Sequence, residues 1–176
     1  LRSDRSVERD PLRNDSRHDI DLLPLYGVTP EWTAQLRAHE GGRLKSQSIG
    51  GAEFQPYLFA GGVKKPEFSA IEVVRPDQIP PERLDALFAC GSDTTNSQAG
   101  FVLLNTLFLR EHNRVAVELA AAYPKWDDER LFQTARNILI VILIKLVIEE
   151  YINHIAPNHF ELVADPAPFK NERWYR

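Results

Sequence analysis

Residues 100–160 read GFVLLNTLFLREHNRVAVELAAAYPKWDDERLFQTARNILIVILIKLVIEEYINHIAPNHF, and their periodicity predicts two long helices joined by a short turn. In the first helix Phe101, Leu104, Phe108, Val115 and Leu119 recur at steps of three or four, the spacing that stacks side chains on one face. The helix is expected to stop at Tyr123-Pro124, because the proline ring disfavours helical geometry in the residue before it. Asp127 is placed as the next N-cap, with Asp128 and Glu129 in the first turn at the positive end of the helix dipole. The second helix then runs from Asp127 to about Ile155. Its middle, Ile138 to Ile144 and Leu146 to Ile148, is apolar on all sides and broken only by Lys145. A membrane span needs about 20 such residues, and this run is shorter. The expectation is therefore a helix buried through the centre of a larger soluble fold, with no membrane span.

The flanks fit one domain. The 176 residues are 43% hydrophobic and 10% aromatic, enough for a core. A net charge of -4 lacks the basic excess that a nucleic-acid partner requires. Cys90 is the only cysteine, so no intrachain disulfide can form. The chain has no methionine and starts at Leu1, which suggests a fragment or a processed piece, treated as a single partial domain over 1–176. Leu1 to Arg17 is charged and short of apolar anchors, and reads as an exposed connection. No signal-peptide pattern is present there.

Further along, Thr29 and Pro30 mark a helix start, expected to run to about His39 before Gly41-Gly42. Leu44 to Phe54 suits a small hairpin turning at Gly50-Gly51. Prolines and glycines between Gln55 and Ile79 favour irregular structure. Pro80-Pro81 opens a short helix, Glu82 to Ala89, and Gly91 to Asn96 is a polar loop. His18 and His39 read as surface residues. His112, inside the first long helix, reads as a hydrogen-bonded packing residue rather than a metal ligand. Glu150 and His154 share one helical face, but no second such pair exists to complete a di-metal set. No nucleophile elbow, Walker loop or Rossmann glycine pattern occurs.

Asn105 to Ala116, NTLFLREHNRVA, resembles the LREHNR segment of animal-type haem peroxidases. Pro124-x-Trp126-Asp127-x-Glu129-x-Leu131-Phe132-Gln133-Thr134-x-Arg136, then Ile144-Lys145-x-Val147-Ile148-Glu149-x-Tyr151 and His159-Phe160, resemble the cyclooxygenase branch of that superfamily. The likeness continues upstream through Asp19-Ile20-Asp21-Leu22 and Leu25-Tyr26-Gly27. It implies a mainly α fold, part of the helical haem-peroxidase catalytic domain, with two long core helices, short flanking helices and a small hairpin. The implied cofactor is haem, and the implied substrates are peroxide with a fatty acid or small organic donor. Peripheral membrane contact is compatible with such a domain.

The resemblance also assigns places. The family's distal histidine matches a point before Leu1, and its proximal histidine and radical tyrosine match points beyond Arg176, so no catalytic residue falls inside the chain. The peroxide-splitting arginine of true peroxidases matches Thr94 or Thr95, and the carboxylate that esterifies haem in some members matches Ser97 or Gln98. None of these carries a charge, which turns the expectation from a halide-oxidising peroxidase toward an oxygenase. Val147, Tyr151, Ile152, Ile155, Ala156 and Asn158 match the fatty-acid channel, with Asn158 standing where cyclooxygenases keep a carboxylate-gripping tyrosine. The leading expectation is an internal piece of a haem-dependent peroxidase or fatty-acid oxygenase. The alternatives are a plain peroxidase with small organic donors and a non-catalytic helical interaction module.

Overall fold

The computed structural model describes residues 20–73, 78–156, 161–165 and 167. The charged run 1–17, His18 and Asn158 lie outside that set.

Two antiparallel helices dominate, as the periodicity predicts. Helix α4 spans Ala99–Ala122 and helix α5 spans Asp128–Lys145. The link is short because Tyr123-Pro124 ends α4, and Asp127 restarts the chain by accepting the Arg130 N–H at 2.8 Å. Before them come α1, Leu23–Tyr26, α2, Pro30–Leu36, and two hairpins. β1, Gln47–Ile49, pairs antiparallel with β2, Ala52–Phe54, about the expected Gly50-Gly51 turn. β3, Phe59–Ala60, pairs with β4, Val63–Lys64. A short α3, Pro81–Leu84, and a 3-10 turn, Asp93–Ser97, lead into α4.

The second hairpin corrects the irregular reading of 55–79. Gly61 and Gly62 sit at φ 60 and 76, values open to glycine at little cost. The Asp85 carboxylate accepts both of their N–H groups, at 3.0 and 2.8 Å. Two helices are shorter than their patterns suggest, because the chain is recruited by its neighbours. Helix α2 ends at Leu36 because Arg37 pairs with Leu44 as an isolated bridge. Helix α3 ends at Leu84 because Leu87 and Ala89 bond instead to Leu58 and Pro56.

The core lies between the α4–α5 pair and the segment 22–71, around Tyr26, Trp32, Phe68, Leu109, Phe132 and Leu139. The buried face of α4 coincides with the expected apolar stripe only in part, through the buried Val115 and the core-packed Phe108 and Leu119. Asn105, Thr106, Leu109, His112, Asn113, Val115 and Ala116 point inward, while Phe101 and Leu104 remain 44% and 58% exposed. The reason is polar docking. Asn113 accepts the Leu44 N–H at 2.8 Å and donates to Glu53 Oε1 at 2.7 Å, Arg110 Nε donates to the Glu53 carbonyl at 2.7 Å, and Thr106 donates to Gln55. A buried polar group is costly only when unpaired. These side chains carry the β1–β2 hairpin on the helix and so take the inward positions.

A second correction concerns α5. Only Leu131, Phe132, Ala135 and Leu139 are buried, so the helix is covered on one side rather than all round. The helical run Asp128–Ile155 is long and apolar enough to cross a membrane by length and composition alone. Its first half is nevertheless packed into the protein core, and Val141 and Leu146 are left uncovered farther along.

Candidate functional site

The chemistry-bearing side chains are best taken from the core outward. His112 is fully buried, and both ring nitrogens are engaged. Tyr26 Oη donates to Nδ1 at 2.8 Å, and Nε2–H donates to the Gly42 carbonyl at 2.9 Å. This pair of bonds defines a neutral tautomer. Burial lowers its pKa to about 4, the Gly42 carbonyl opposing the shift and the nearby Arg37 charge adding to it. Tyr26 is pushed upward by the same burial. Gly42 must stay small: at φ +70, a Cβ there would stand 2.6 Å from the Phe132 backbone nitrogen.

Beside it lies an ionic tie. Arg37 pairs with Glu129 and, at 2.7 Å, with Asp128, whose other oxygen accepts the Gly42 N–H at 2.7 Å. The Arg37 guanidinium also lies 4.1 Å from the Phe132 ring centroid. Glu129 is held below the usual carboxylate range, chiefly by the Gln133 amide and then by Arg37. Sequence reasoning placed Asp128 and Glu129 only as helix-dipole partners. The acid pair one turn into a helix and the buried Arg37 were visible separately, but nothing in the sequence joined them.

The expected rim is the 3-10 turn before α4. Thr94, Ser97 and Gln98 are exposed, whereas Thr95 is fully buried and its Oγ1 has no hydrogen-bond partner. The turn is fixed locally. Asn96 exchanges two 2.9 Å bonds with the Phe88 backbone, and Ser97 Oγ donates to the Thr94 carbonyl at 2.6 Å. A mainly apolar cavity of about 380 Å³ opens beside it, lined by Leu58, Ile71, Val73, Phe88, Cys90 and Ser97 among others. Burial pushes the Cys90 thiol up to about 12, so it is a protonated wall residue rather than a nucleophile.

The expected channel residues lie at the far end of α5. There the helix widens into a π-helical stretch, Leu146–Ile152, before one last α turn, Asn153–Ile155. Val147 and Ile152 are half-buried, and Tyr151, Ile155 and Ala156 are exposed, Tyr151 by 61% and Ile155 by 57%. Because α5 returns antiparallel to α4, this stretch and the 94–98 turn occupy the same end of the helix pair. A groove lined by Leu22, Pro24, Phe101, Leu104, Phe108 and Leu143 runs between the helices toward that end. The π geometry was not foreseen. Positions 144, 147, 148, 151, 152 and 155 keep the spacing of an ordinary amphipathic α-helix, so the sequence carries no separate signal for it.

No buried histidine among the described residues has a nitrogen free for an axial bond to haem. His112 has no nitrogen to spare, His39 is an exposed residue bonded to the Ala34 carbonyl, and His154 is exposed near a helix end. No cluster of three metal-ligating side chains occurs among the described residues, Glu150 and His154 included. What the described residues show is an uncharged turn at Thr94, Thr95, Ser97 and Gln98 and an exposed apolar pair, Tyr151 and Ile155.

Residues 4–171 match the animal haem peroxidase family. Prostaglandin G/H synthase 2 of Equus caballus is 38% identical over 157 residues, which is 89% of this chain and 24% of that protein. Prostaglandin G/H synthase 1 of Mus musculus is 38% identical over 149 residues, 85% of this chain and 23% of that protein. Peroxidase A from Dictyostelium discoideum superposes with a TM-score of 0.66 at 30% identity, over 76% of this chain and 24% of its own. The fatty acid alpha-dioxygenase of Arabidopsis thaliana shares the fold, with a TM-score of 0.55 at 21% identity over 79% of this chain and 17% of its own. The chain spans about a quarter of the length of the curated relatives it matches. Its mainly helical architecture, its REHNR-bearing helix and the match over nearly all of its residues agree: the chain belongs to the animal haem peroxidase family.

Proposed function

We propose that the chain is part of the catalytic domain of a haem-dependent peroxidase and fatty-acid oxygenase, which at full length oxygenates unsaturated fatty acids and reduces peroxides. The carrying observation is the apolar face just beyond α5 on which Tyr151 and Ile155 are exposed beside a half-buried Val147. Burying an acyl chain against such a face gains about 0.8 kcal/mol per methylene. Ile152, Ala156 and Asn158 complete the channel segment in this reading, with Asn158 contributing a hydrogen-bonding amide near the substrate carboxylate. Thr94, Thr95, Ser97 and Gln98 form the haem-side rim. None of these four side chains is cationic, which in this reading favours the oxygenase over a plain peroxidase, where a guanidinium at this place would stabilise charge on a splitting peroxide. Haem, when bound, supplies peroxide cleavage and one-electron oxidation. The residues of this chain supply the wall that orients the acyl chain and keeps water from it.

Ala156→Phe in the full-length protein tests the assignment. A ring in place of a methyl group should obstruct a channel, so fatty-acid oxygenation should fall at least tenfold, an overpacking cost of about 1.4 kcal/mol or more. Peroxide turnover with a small phenolic donor should stay within about twofold, because that reaction does not need the wall. Equal loss of both activities would mean misfolding, and no loss of either would remove Ala156 from the channel.

A further inference from the structure

From Ile144 onward the helix sorts its residues into columns four apart. An α-helix overshoots a full turn by about 40° every four residues. A π stretch with i→i+5 bonding, at about 4.4 residues per turn, falls short by about 30°. Where the two meet, the drifts cancel and every fourth side chain stands above the last. The exposure pattern is uniform along two of the columns. Ile144, Ile148 and Ile152 are half-buried, while Leu146, Glu150 and His154 are exposed. The half-buried Val147 and the exposed Tyr151 and Ile155 form an apolar column, and Lys145, Glu149 and Asn153 lie half a turn away from it.

That polar column is tied to the returning chain. Asn153 Nδ2 donates to the Leu162 carbonyl at 2.8 Å while its Oδ1 accepts the Leu162 N–H at 3.0 Å, the double bond pattern of a strand pair made by a side chain. The same Nδ2 donates to the Glu149 carbonyl at 3.0 Å, inside the helical ladder. Glu149 Oε1 accepts the Ala164 N–H at 3.2 Å and lies 3.4 Å from Lys145 Nζ. A side chain that enters the backbone ladder is one of the few causes of a local change in helix geometry. Two residues of one column thus fasten segment 161–165 to the stretch where the helix is widened.

We propose that Glu149 and Asn153 are positioning residues that hold the π-helical stretch and thereby align Val147, Tyr151 and Ile155 into a straight wall for the acyl chain. The inference rests on the oxygenase reading of that wall. Without the clamp the stretch relaxes toward α geometry, the column drifts around the helix, and the chain loses a single resting line.

The test uses the full-length holoenzyme, with cis-parinaric acid fluorescence as the binding probe and linoleic acid as the substrate. Asn153→Ala removes three hydrogen bonds. It should weaken parinaric acid binding and raise the linoleate KM by about fivefold to tenfold, from net bond energies near 1 kcal/mol. It should also spread oxygenation over more than one carbon, with kcat for peroxide and a phenolic donor within about twofold. Glu149→Ala should act in the same direction. Glu149→Gln, which keeps an acceptor for the Ala164 N–H, should retain the native product ratio. Unchanged binding and product ratio in Asn153→Ala, or equal loss of both activities, would overturn the proposal. Ala156→Phe in the same assays separates the two readings. If it blocks parinaric acid while Asn153→Ala is silent, the wall stands and the clamp falls. If it leaves binding intact, the wall reading fails and the clamp proposal fails with it.

Discussion

His112 shows how one buried side chain makes stability depend on pH. Its folded pKa of about 4 lies below the unfolded value near 6.5, so the unfolded state binds more protons between the two. Stability from this residue is fully present above about pH 6.5 and is lost as pH falls toward 4. The difference corresponds to about 3 kcal/mol, and thermal melts between pH 7.5 and 4 should show the decline. A His112→Gln variant should flatten that part of the profile while lowering stability throughout. Tyr26→Phe should cost about 1–3 kcal/mol, because it strands the Nδ1 acceptor in the core; chemical denaturation at pH 7.5 measures it, and an unchanged midpoint would contradict the bond. The sequence made the packing role of His112 legible, since an imidazole deep in an amphipathic helix is commonly a satisfied core group. Its partners were not legible, because Tyr26 and Gly42 are 86 and 70 positions away.

At the scale of elements, local chemistry set the helix ends and long-range chemistry set their faces. Thr29 caps α2 by accepting the Trp32 N–H at 3.2 Å, and Asp127 caps α5, both at the positions their sequence signals mark. Asp127→Ala should therefore cost about 1 kcal/mol, read as a shift in the denaturation midpoint. Asp128→Ala should cost more, about 2 kcal/mol or above, since it leaves the buried Arg37 short of a partner and the Gly42 N–H without its acceptor. If the two variants lost equal stability, the Arg37 tie would be no stronger than an ordinary cap. The orientation of α4 escapes the pattern because apolarity alone does not mark its inward face. Arg110 and Asn113 instead bind a hairpin whose position no helical periodicity can encode. The π stretch escapes for a related reason: its apolar positions fit the ordinary helical template, and the ties from Asn153 and Glu149 to Leu162 and Ala164 leave no mark in it.

For the molecule as a whole, the apolar surface is the dominant fact. Phe101, Leu103, Leu104 and Leu107 on α4, and Val141, Leu146, Tyr151 and Ile155 along the other long helix, are each more than two-fifths exposed. Soluble monomers rarely leave contiguous apolar patches of this kind uncovered. The sequence made the apolar content of the second helix plain, but which of its sides is covered depends on partners from distant parts of the chain, so the all-round burial it suggested is realised on one face. The 176-residue chain prepared alone should bind a hydrophobic dye such as ANS, associate as its concentration rises, and melt over a broad range with weak near-UV ellipticity. Leu103→Glu with Leu107→Lys, which touches none of the buried face of α4, should reduce dye binding and association without lowering helical ellipticity. Titrated with haemin, the same chain should give no stoichiometric histidine-ligated Soret band, because the core imidazole among the described residues already spends both nitrogens on Tyr26 and Gly42. A sharp cooperative melt with no dye binding would show that segment 20–73 and the two long helices close a core sufficient by themselves. A histidine-type Soret band abolished by His112→Ala would mean that the Tyr26 and Gly42 bonds open to admit iron, against the energetic cost of stranding both groups.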